Sequence, residues 1–292
     1  MILLTGATGF LGGYVLKELI KRGHEVTCFV RESSNLEKIK ELNVPYIYGE
    51  LDNFESICNA LEDKDALINI ASLGFGHASN IINACLEMNI KRAIFISTTG
   101  IYTKLNPDSK AIRLEAERLI KESGLEYTII RPTMIYGTPR DRNMWRLVKY
   151  LKRFPILPIL GKGKYLQQPV YVKDLAWAVV SAYETNVSIK KAYNISGLDA
   201  LTYNEIVDYT GKALGKKVLK IHVPMKLSYR IIKLYEKISS DPKLKAEQVL
   251  RLNEDKSFSH EEAKKDFEYS PLRFEEGIKC EVEYLNLGKK VK

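Results

Sequence analysis

Apolar positions in the first half of the chain follow two alternating rhythms. Short, largely apolar runs at 2–4, 25–30, 45–48, 66–70, 93–97 and 127–131 predict strands. Between them, helical spacing at 11–22, 35–42, 54–61, 77–88 and 108–122 predicts helices. Near-continuous apolar runs of this kind belong to strands covered on both faces. Six such strands alternating with five helices predict an α/β, doubly wound parallel sheet. The helix ends carry matching chemistry. Gly23 follows Lys21-Arg22 and Gly124 follows Ser123, each suited to the residue just past a helix. Asn106-Pro107 supplies an N-cap and a first helical position for the fifth helix.

The rhythm changes after Gly137. A basic helix is predicted over 140–154, then an irregular loop through Pro155, Pro158, Gly161 and Gly163. A helix at 171–183 and a strand at 191–195 follow, and that strand is free to rejoin the main sheet. Helices at 203–214, 225–238, 242–252, 260–266 and 274–285, with one further strand at 217–222, complete the pattern. The expected organisation is a sheet domain over 1–137 and a smaller, mostly helical substrate cap over 138–292, with about 165–195 returning to the first domain.

Composition narrows the function classes. The 292 residues are 45% apolar and 28% charged, as in an ordinary globular protein able to bury a sizeable core. The formal net charge is +9, with modest clusters at 149–153, at Lys162 and Lys164, and at 289–292. No block of five like charges occurs, so no nucleic-acid partner is expected, and the basic balance suits phosphorylated small molecules or a solvated surface. The four cysteines and four histidines show no metal or redox spacing, and Cys28 and Cys85 read as small core residues. No metal site is expected. There is no signal-peptide pattern at the start and no run of roughly 18 apolar residues, so an integral membrane segment is not predicted and the cytoplasm is the expected location. The segment 225–238 is amphipathic and basic, with Leu227, Ile231, Ile232 and Leu234 among Lys226, Arg230, Lys233 and Lys237. Burial against the cap is the preferred reading, a membrane surface the alternative.

The candidate chemistry begins at residue 5. Gly6-x-x-Gly9-x-x-Gly12 follows a strand and opens a helix. The first glycine permits a tight turn, the second lets backbone approach a pyrophosphate, and the third permits close helix–strand packing. The helix N-terminus adds N–H donors and partial positive charge for phosphates. A dinucleotide cofactor is therefore expected. The second strand ends Val30-Arg31-Glu32-Ser33-Ser34. Arg31 stands first, where it can pair with a 2′-phosphate, with Ser33, Ser34 or Asn35 adding hydrogen bonds. NADP is thus favoured, and Glu32, one residue later, keeps NAD open.

Thr5-Gly6-Ala7-Thr8-Gly9-Phe10-Leu11-Gly12 resembles the fingerprint of the extended and atypical short-chain dehydrogenase/reductases, the group that includes nucleotide-sugar epimerases and dehydratases. Gly49-Glu50-Leu51-Asp52 resembles the family's segment near the adenine. The run 67–72 resembles its fourth strand, with Ala71 and Ser72 beside the cofactor ribose. Ile96-Ser97-Thr98-Thr99 resembles the fifth strand and its serine. Arg131-Pro132-Thr133-Met134-Ile135-Tyr136-Gly137 resembles the exit of the sixth, where Pro132 passes the nicotinamide. The run 168–176 resembles the segment joining cap and sheet. The match is firm over residues 1 to about 186. It implies a doubly wound parallel Rossmann sheet with a smaller helical cap, and a cofactor set of Gly6, Thr8, Gly9, Phe10, Leu11, Gly12, Arg31, Glu50, Leu51, Ala71, Ser72, Lys110 and Pro132.

The catalytic pattern departs from the family. Active members usually carry Tyr-x-x-x-Lys, in which the tyrosine transfers a proton and the lysine lowers its pKa. Here Ser109-Lys110 resembles the end of that motif, but Asn106 stands four residues before Lys110. A register aligned on Glu117 instead puts Arg113 at the lysine and Ser109 at the tyrosine. Tyr102, just after the fifth strand, is the candidate substitute acid, or a wall residue. Ser97, Thr98 and Thr99 are candidate donors to a substrate oxygen, and Lys110 a candidate ribose contact. Arg113 either faces the cofactor with Lys110 or pairs with Glu117 on a solvated face. In the cap, Arg140, Arg142 and Trp145 are candidate contacts for a phosphorylated substrate. Two functions follow. One is an NAD(P)-dependent reductase or epimerase acting on a nucleotide sugar or another carbonyl or hydroxyl compound. The other is a non-catalytic NAD(P)-binding sensor or assembly factor. A small-molecule substrate is the expected partner, and a homodimer is compatible with either.

Overall fold

The computed structural model describes residues 1–105, 108–141, 143–239 and 254–287. Its centre is a seven-stranded, wholly parallel sheet. The strands are β1 (Ile2–Thr5), β2 (Val26–Val30), β3 (Tyr46–Tyr48), β4 (Ala66–Asn69), β5 (Arg92–Ile96), β6 (Glu126–Pro132) and, from late in the chain, β11 (Lys191–Ile195). The spatial order is β11-β6-β5-β4-β1-β2-β3. The chain leaves β1 toward β2 and β3, then crosses back to place β4 on the other side of β1. That reversal opens a crevice at the carboxyl ends of the strands, where open α/β sheets bind ligands.

Successive side chains on each strand point to opposite faces, and both faces are apolar. Ile2 and Leu4 join one core with Cys28, Ile68, Ile94 and Ile130 beneath α1 (Phe10–Lys21) and α7 (Val172–Glu184). Leu3 joins the other with Phe29, Leu67, Phe95 and Ile129 beneath α3 (Phe54–Leu61), α4 (Ala78–Glu87) and α5 (Asp108–Glu122). This double coverage is why the strand segments read as near-continuous apolar runs. The short α2 (Glu37–Glu41) supplies Ile39 to the first core.

Beyond β6 a third core gathers residues of α6 (Met144–Arg153), α8 (Tyr203–Ala213) and a terminal helix, α11 (Phe274–Leu287). The helix expected over 140–154 starts later, at Met144. The Asp141 carboxylate accepts the Asn143 and Trp145 N–H groups, both at 3.0 Å, and so turns the chain into the helix. The stretch expected as irregular loop after Pro155 contains a strand, β8 (Ile156–Leu160). It pairs in parallel with β13 (Leu219–Val223), one residue beyond the predicted 217–222 strand at its end. Pro158 is tolerated because each strand of a two-stranded ribbon is an edge, with no second neighbour requiring its missing donor. Short pairs join β7 (Ile135–Tyr136) to β10 (Val170–Tyr171) and β9 (Leu166–Gln167) to β12 (Leu201–Thr202).

The basic helix α9 (Met225–Ile238) corrects the expectation of burial. Only Ser228 and Ile232 are buried, while Leu227, Ile231, Leu234 and Ile238 are exposed. After it, α10 (Glu261–Phe267) packs Ala263 and Phe267 into the first core. The helix expected over 242–252, and the Asn106-Pro107 start signal, lie outside the described residues.

Candidate functional site

At the switch point lies a cleft of about 720 Å³. Most of its lining comes from the exits of the strands. The glycine loop follows β1, Arg31 and Ser34 follow β2, and Gly49–Asp52 follows β3. Ala71 and Ser72 follow β4, Ser97 and Thr98 follow β5, and Pro132 closes β6. All thirteen positions expected to hold a dinucleotide line this one cleft: Gly6, Thr8, Gly9, Phe10, Leu11, Gly12, Arg31, Glu50, Leu51, Ala71, Ser72, Lys110 and Pro132.

The loop is built as its glycines require. Gly6 has φ +70°, and its carbonyl accepts the Gly9 N–H at 2.9 Å. A Cβ on Gly12 would stand 2.0 Å from the Gly6 oxygen, so no side chain fits between helix and loop. Gly9 caps α1 without any side-chain hydrogen bond, and no acid occupies the first turn. A helix N-terminus left in that state is a ready anion site. At the crossover, Thr5 Oγ1 donates to Asn69 Oδ1 at 2.6 Å, and Asn69 Nδ2 donates to the Ala71 carbonyl at 3.0 Å. These buried bonds fix the β4 exit against the glycine loop.

Arg31 and Ser34 border the cleft, whereas Glu32, Ser33 and Asn35 are outside its lining. Asn35 Oδ1 instead accepts the Glu37 N–H at 2.9 Å, two residues on, where α2 begins. Opposite them, Lys110 and Arg113 sit one turn apart on α5 and both line the cleft. Lys110 Nζ donates to the Thr103 carbonyl at 2.7 Å. The Arg113 guanidinium lies over Gly74, where a Cβ would approach it to 2.8 Å. The expected alternative, Arg113 paired with Glu117, is not formed. Glu117 turns inward, 3% exposed, and grips Arg131 through three contacts of 2.9, 3.1 and 2.5 Å.

That buried pair decides the orientation of Tyr102. Arg131 Nη1 donates to the Tyr102 hydroxyl at 3.0 Å, and the ring stacks on Phe258 with centroids 5.4 Å apart. Tyr102 is absent from the cleft lining and borders a separate cavity of about 280 Å³ with Thr99, Tyr165 and Phe258. The other strand-end hydroxyls divide. Thr99 Oγ1 donates to the Pro132 carbonyl at 3.2 Å, and Thr98 Oγ1 accepts the Gly100 N–H at 3.1 Å. Ser97 Oγ is buried, lines the cleft and has no hydrogen-bond partner among the described residues. Leaving a buried hydroxyl without a partner costs about 1–3 kcal/mol.

The cap candidates separate. Arg140 precedes α6 rather than riding on it, and its Nη2 donates to the Thr8 carbonyl at 2.7 Å, beside the glycine loop. Trp145 lies in the first turn of α6 and packs partly buried in the third core. Arg142 lies outside the described residues. Sequence reasoning gave no role to Phe75 and His77, which line the cleft from the turn after β4. No spacing or motif marks them. Burial pushes the Cys28 and Cys85 thiols up to about 12, consistent with core residues rather than nucleophiles. No group of three or more potential metal ligands occurs among the described residues, and no described helix is long and apolar enough to cross a membrane.

Known proteins share this architecture. A family model described as NAD(P)H-binding matches residues 6–154, about half of the chain. A 2-alkyl-3-oxoalkanoate reductase of Stenotrophomonas maltophilia (strain K279a) is 25% identical, covering 95% of this chain and 97% of that protein. The mitochondrial NADH dehydrogenase [ubiquinone] 1 alpha subcomplex subunit 9 of Arabidopsis thaliana is 30% identical over 70% of this chain, which spans 55% of that subunit. Among solved structures, a UDP-glucuronic acid 4-epimerase from Bacillus cereus, in complex with UDP-glucuronic acid and NAD, superposes with a TM-score of 0.76 at 20% identity. That alignment covers 98% of this chain and 99% of the epimerase, and it shows a shared fold.

Proposed function

We propose that this chain, which belongs to the NAD(P)H-binding family, is an NADP-dependent reductase of the extended short-chain dehydrogenase type acting on a carbonyl compound. The observation that carries the reading is the Ser97 hydroxyl: buried, unpartnered, and in the same cleft as the glycine loop. In this reading the uncapped start of α1 holds the pyrophosphate. Arg31 and Ser34 hold the 2′-phosphate, Lys110 a ribose hydroxyl, and Ala71, Ser72 and Pro132 flank the nicotinamide end. The cofactor, when bound, supplies hydride. Ser97 donates a hydrogen bond to the carbonyl oxygen, orienting it and stabilising the negative charge that develops there. Lys110, whose Nζ already donates to the Thr103 carbonyl, would have to exchange that contact to give the completing proton.

A one-way reduction is favoured over epimerisation. Moving hydride out and back requires a group that takes and returns a proton, and Tyr102 is engaged with Arg131 outside the cleft. A compact carbonyl compound is favoured over a nucleotide sugar because Arg140, a candidate for the diphosphate, is bonded to Thr8. The same Tyr102 contact supports a second reading, a non-catalytic NADP binder.

The experiment has two parts. Binding of NADPH and NADH is titrated for the wild type and Arg31→Ala. NADPH should bind more tightly, and the substitution should weaken NADPH by about tenfold or more, the worth of a charge-assisted hydrogen bond, while sparing NADH. NADPH oxidation is then followed with 3-oxo acids, ketones, quinones and nucleotide sugars. Turnover of a carbonyl compound that Ser97→Ala lowers at least about tenfold supports the reductase. Tight NADPH binding without turnover of any compound selects the non-catalytic reading.

A further inference from the structure

The strongest charge asymmetry in the molecule lies away from the cleft. Residues 144–160 and 214–238 carry eleven Lys and Arg against a single acid, Glu236. Their net +10 exceeds the +9 of the whole chain, so the remainder is close to neutral. The same two segments hold ten of the 23 exposed large apolar side chains among the described residues. Basic charge and solvated apolar surface therefore coincide.

The two segments form one structural unit. Leu219 lies opposite Ile156 and Ile221 opposite Pro158 in the β8–β13 ribbon, and the Leu219 N–H donates to the Pro155 carbonyl at 2.8 Å. Inward, Leu157 and Ile159 enter the cap core. Outward, Ile156, Leu219 and Ile221 are 45%, 60% and 50% exposed. Pro224 turns the chain from β13 into α9, which is fastened by Ser228 and by Ile232 packed near Leu160 at the end of β8.

At 100° per residue, α9 has three faces. Ser228 and Ile232 face the cap. Leu227, Ile231, Leu234 and Ile238 make an exposed stripe, and Lys226, Arg230, Lys233 and Lys237 fall together on the adjoining shoulder. An apolar stripe beside a cationic shoulder is what an interfacial helix presents to lipid: the stripe enters the boundary between headgroups and acyl chains, and the ammonium and guanidinium groups meet lipid phosphates.

We infer that this unit, the α9 stripe with the outer face of the β8–β13 ribbon, is a docking surface for an anionic membrane. Charge complementarity selects that occupant. A second copy would bring two strongly cationic faces together, which is unfavourable. A nucleic acid would use the cations and leave the aliphatic stripe in water. The contact is peripheral, since no described helix is long enough to span a bilayer.

The test is co-sedimentation of the full chain with vesicles of phosphatidylcholine alone or with a third of the lipid as phosphatidylglycerol. Binding is expected only to the anionic vesicles and should weaken as salt is raised. Each juxtamembrane cation contributes about a fivefold factor in partitioning, so Lys226→Glu/Arg230→Glu/Lys233→Glu should weaken binding by about 100-fold or more. Leu227→Ser/Ile231→Ser/Leu234→Ser should abolish it. Both variants change exposed positions and should keep the melting temperature and NADPH affinity. Absence of binding, or equal binding to neutral vesicles, overturns the inference. So does a dimer in sedimentation velocity that the serine variant dissolves, which would assign the face to a second copy. A large loss of melting temperature in the lipid-free serine variant also overturns it, because the stripe would then be covered by the chain itself.

Discussion

Glu281 offers the sharpest quantitative test of the fold. It lies on α11, fully buried, with its carboxyl group facing Asp141. Burial first, and then the charge of Asp141, push its pKa from an ordinary 4.5 up to about 9. The folded state therefore keeps the proton while the unfolded chain loses it above about pH 4.5. The stability Glu281 contributes is complete below that pH and is lost progressively as the pH rises toward about 9. Within that window the loss is about 1.4 kcal/mol per pH unit, or about 2.7 kcal/mol over two units. A chain of this length has an unfolding entropy of roughly 0.6 kcal/mol/K, which converts that loss to about 4 °C. Glu281→Gln preserves the shape, removes the titration and lets an amide N–H donate toward Asp141. Thermal melts at constant ionic strength should show the variant gaining about 4 °C on the wild type over two pH units between about 5.5 and 7.5. A difference in melting temperature that does not change with pH refutes the assignment of a protonated, buried carboxyl.

Other perturbations test neighbouring inferences. Arg131→Met leaves the Glu117 carboxylate buried without its partner and should cost about 3–5 kcal/mol, whereas Arg131→Met/Glu117→Met should recover most of the loss; equal melting temperatures for single variant and wild type would contradict the buried pair. Gly12→Ala drives a Cβ to within 2.0 Å of the Gly6 oxygen and should weaken NADPH binding by more than about tenfold, read by fluorescence titration, with unchanged affinity as the contrary result. Burial raises Asp174 from 3.8 to about 6, so its contribution is full below 3.8 and declines as pH rises to about 6; Asp174→Asn, still able to accept the Leu272 N–H, should flatten stability across that interval in urea titrations.

The parts of the fold legible from sequence are those specified locally. The glycine loop, the six apolar strands and α5 appear within a residue or two of their expected bounds because periodicity and turn chemistry act over neighbouring positions. Positions that line the cleft from strand ends were legible for the same reason, since strand order brings every carboxyl end to one edge. What failed is long-range. Glu117 and Arg131 are fourteen residues apart, and nothing near either residue signals that the carboxylate turns inward rather than toward Arg113. The β8–β13 ribbon joins residues some sixty positions apart, and two prolines disguise its first strand. The exposed stripe of α9 was misjudged because an amphipathic pattern reports two unlike faces without saying which of them has a partner.

The Arg131–Tyr102 contact ties these threads to the missing motif. The sequence lacks a tyrosine four residues before Lys110, and Tyr102 was the natural replacement. Its hydroxyl is instead held by a guanidinium that Glu117 anchors from behind. That contact holds the hydroxyl in the neighbouring cavity, outside the cleft lining. In the proposed reductase, proton delivery is assigned to Lys110 or to water beside it, and Ser97 is the oriented hydroxyl. The absence of Tyr-x-x-x-Lys is in that sense matched by the surrounding structure. Glu117, Arg131, Tyr102 and Phe258 form a packed wall that gives the tyrosine a structural role, and any chemistry in the cleft must be organised by the residues on its other side.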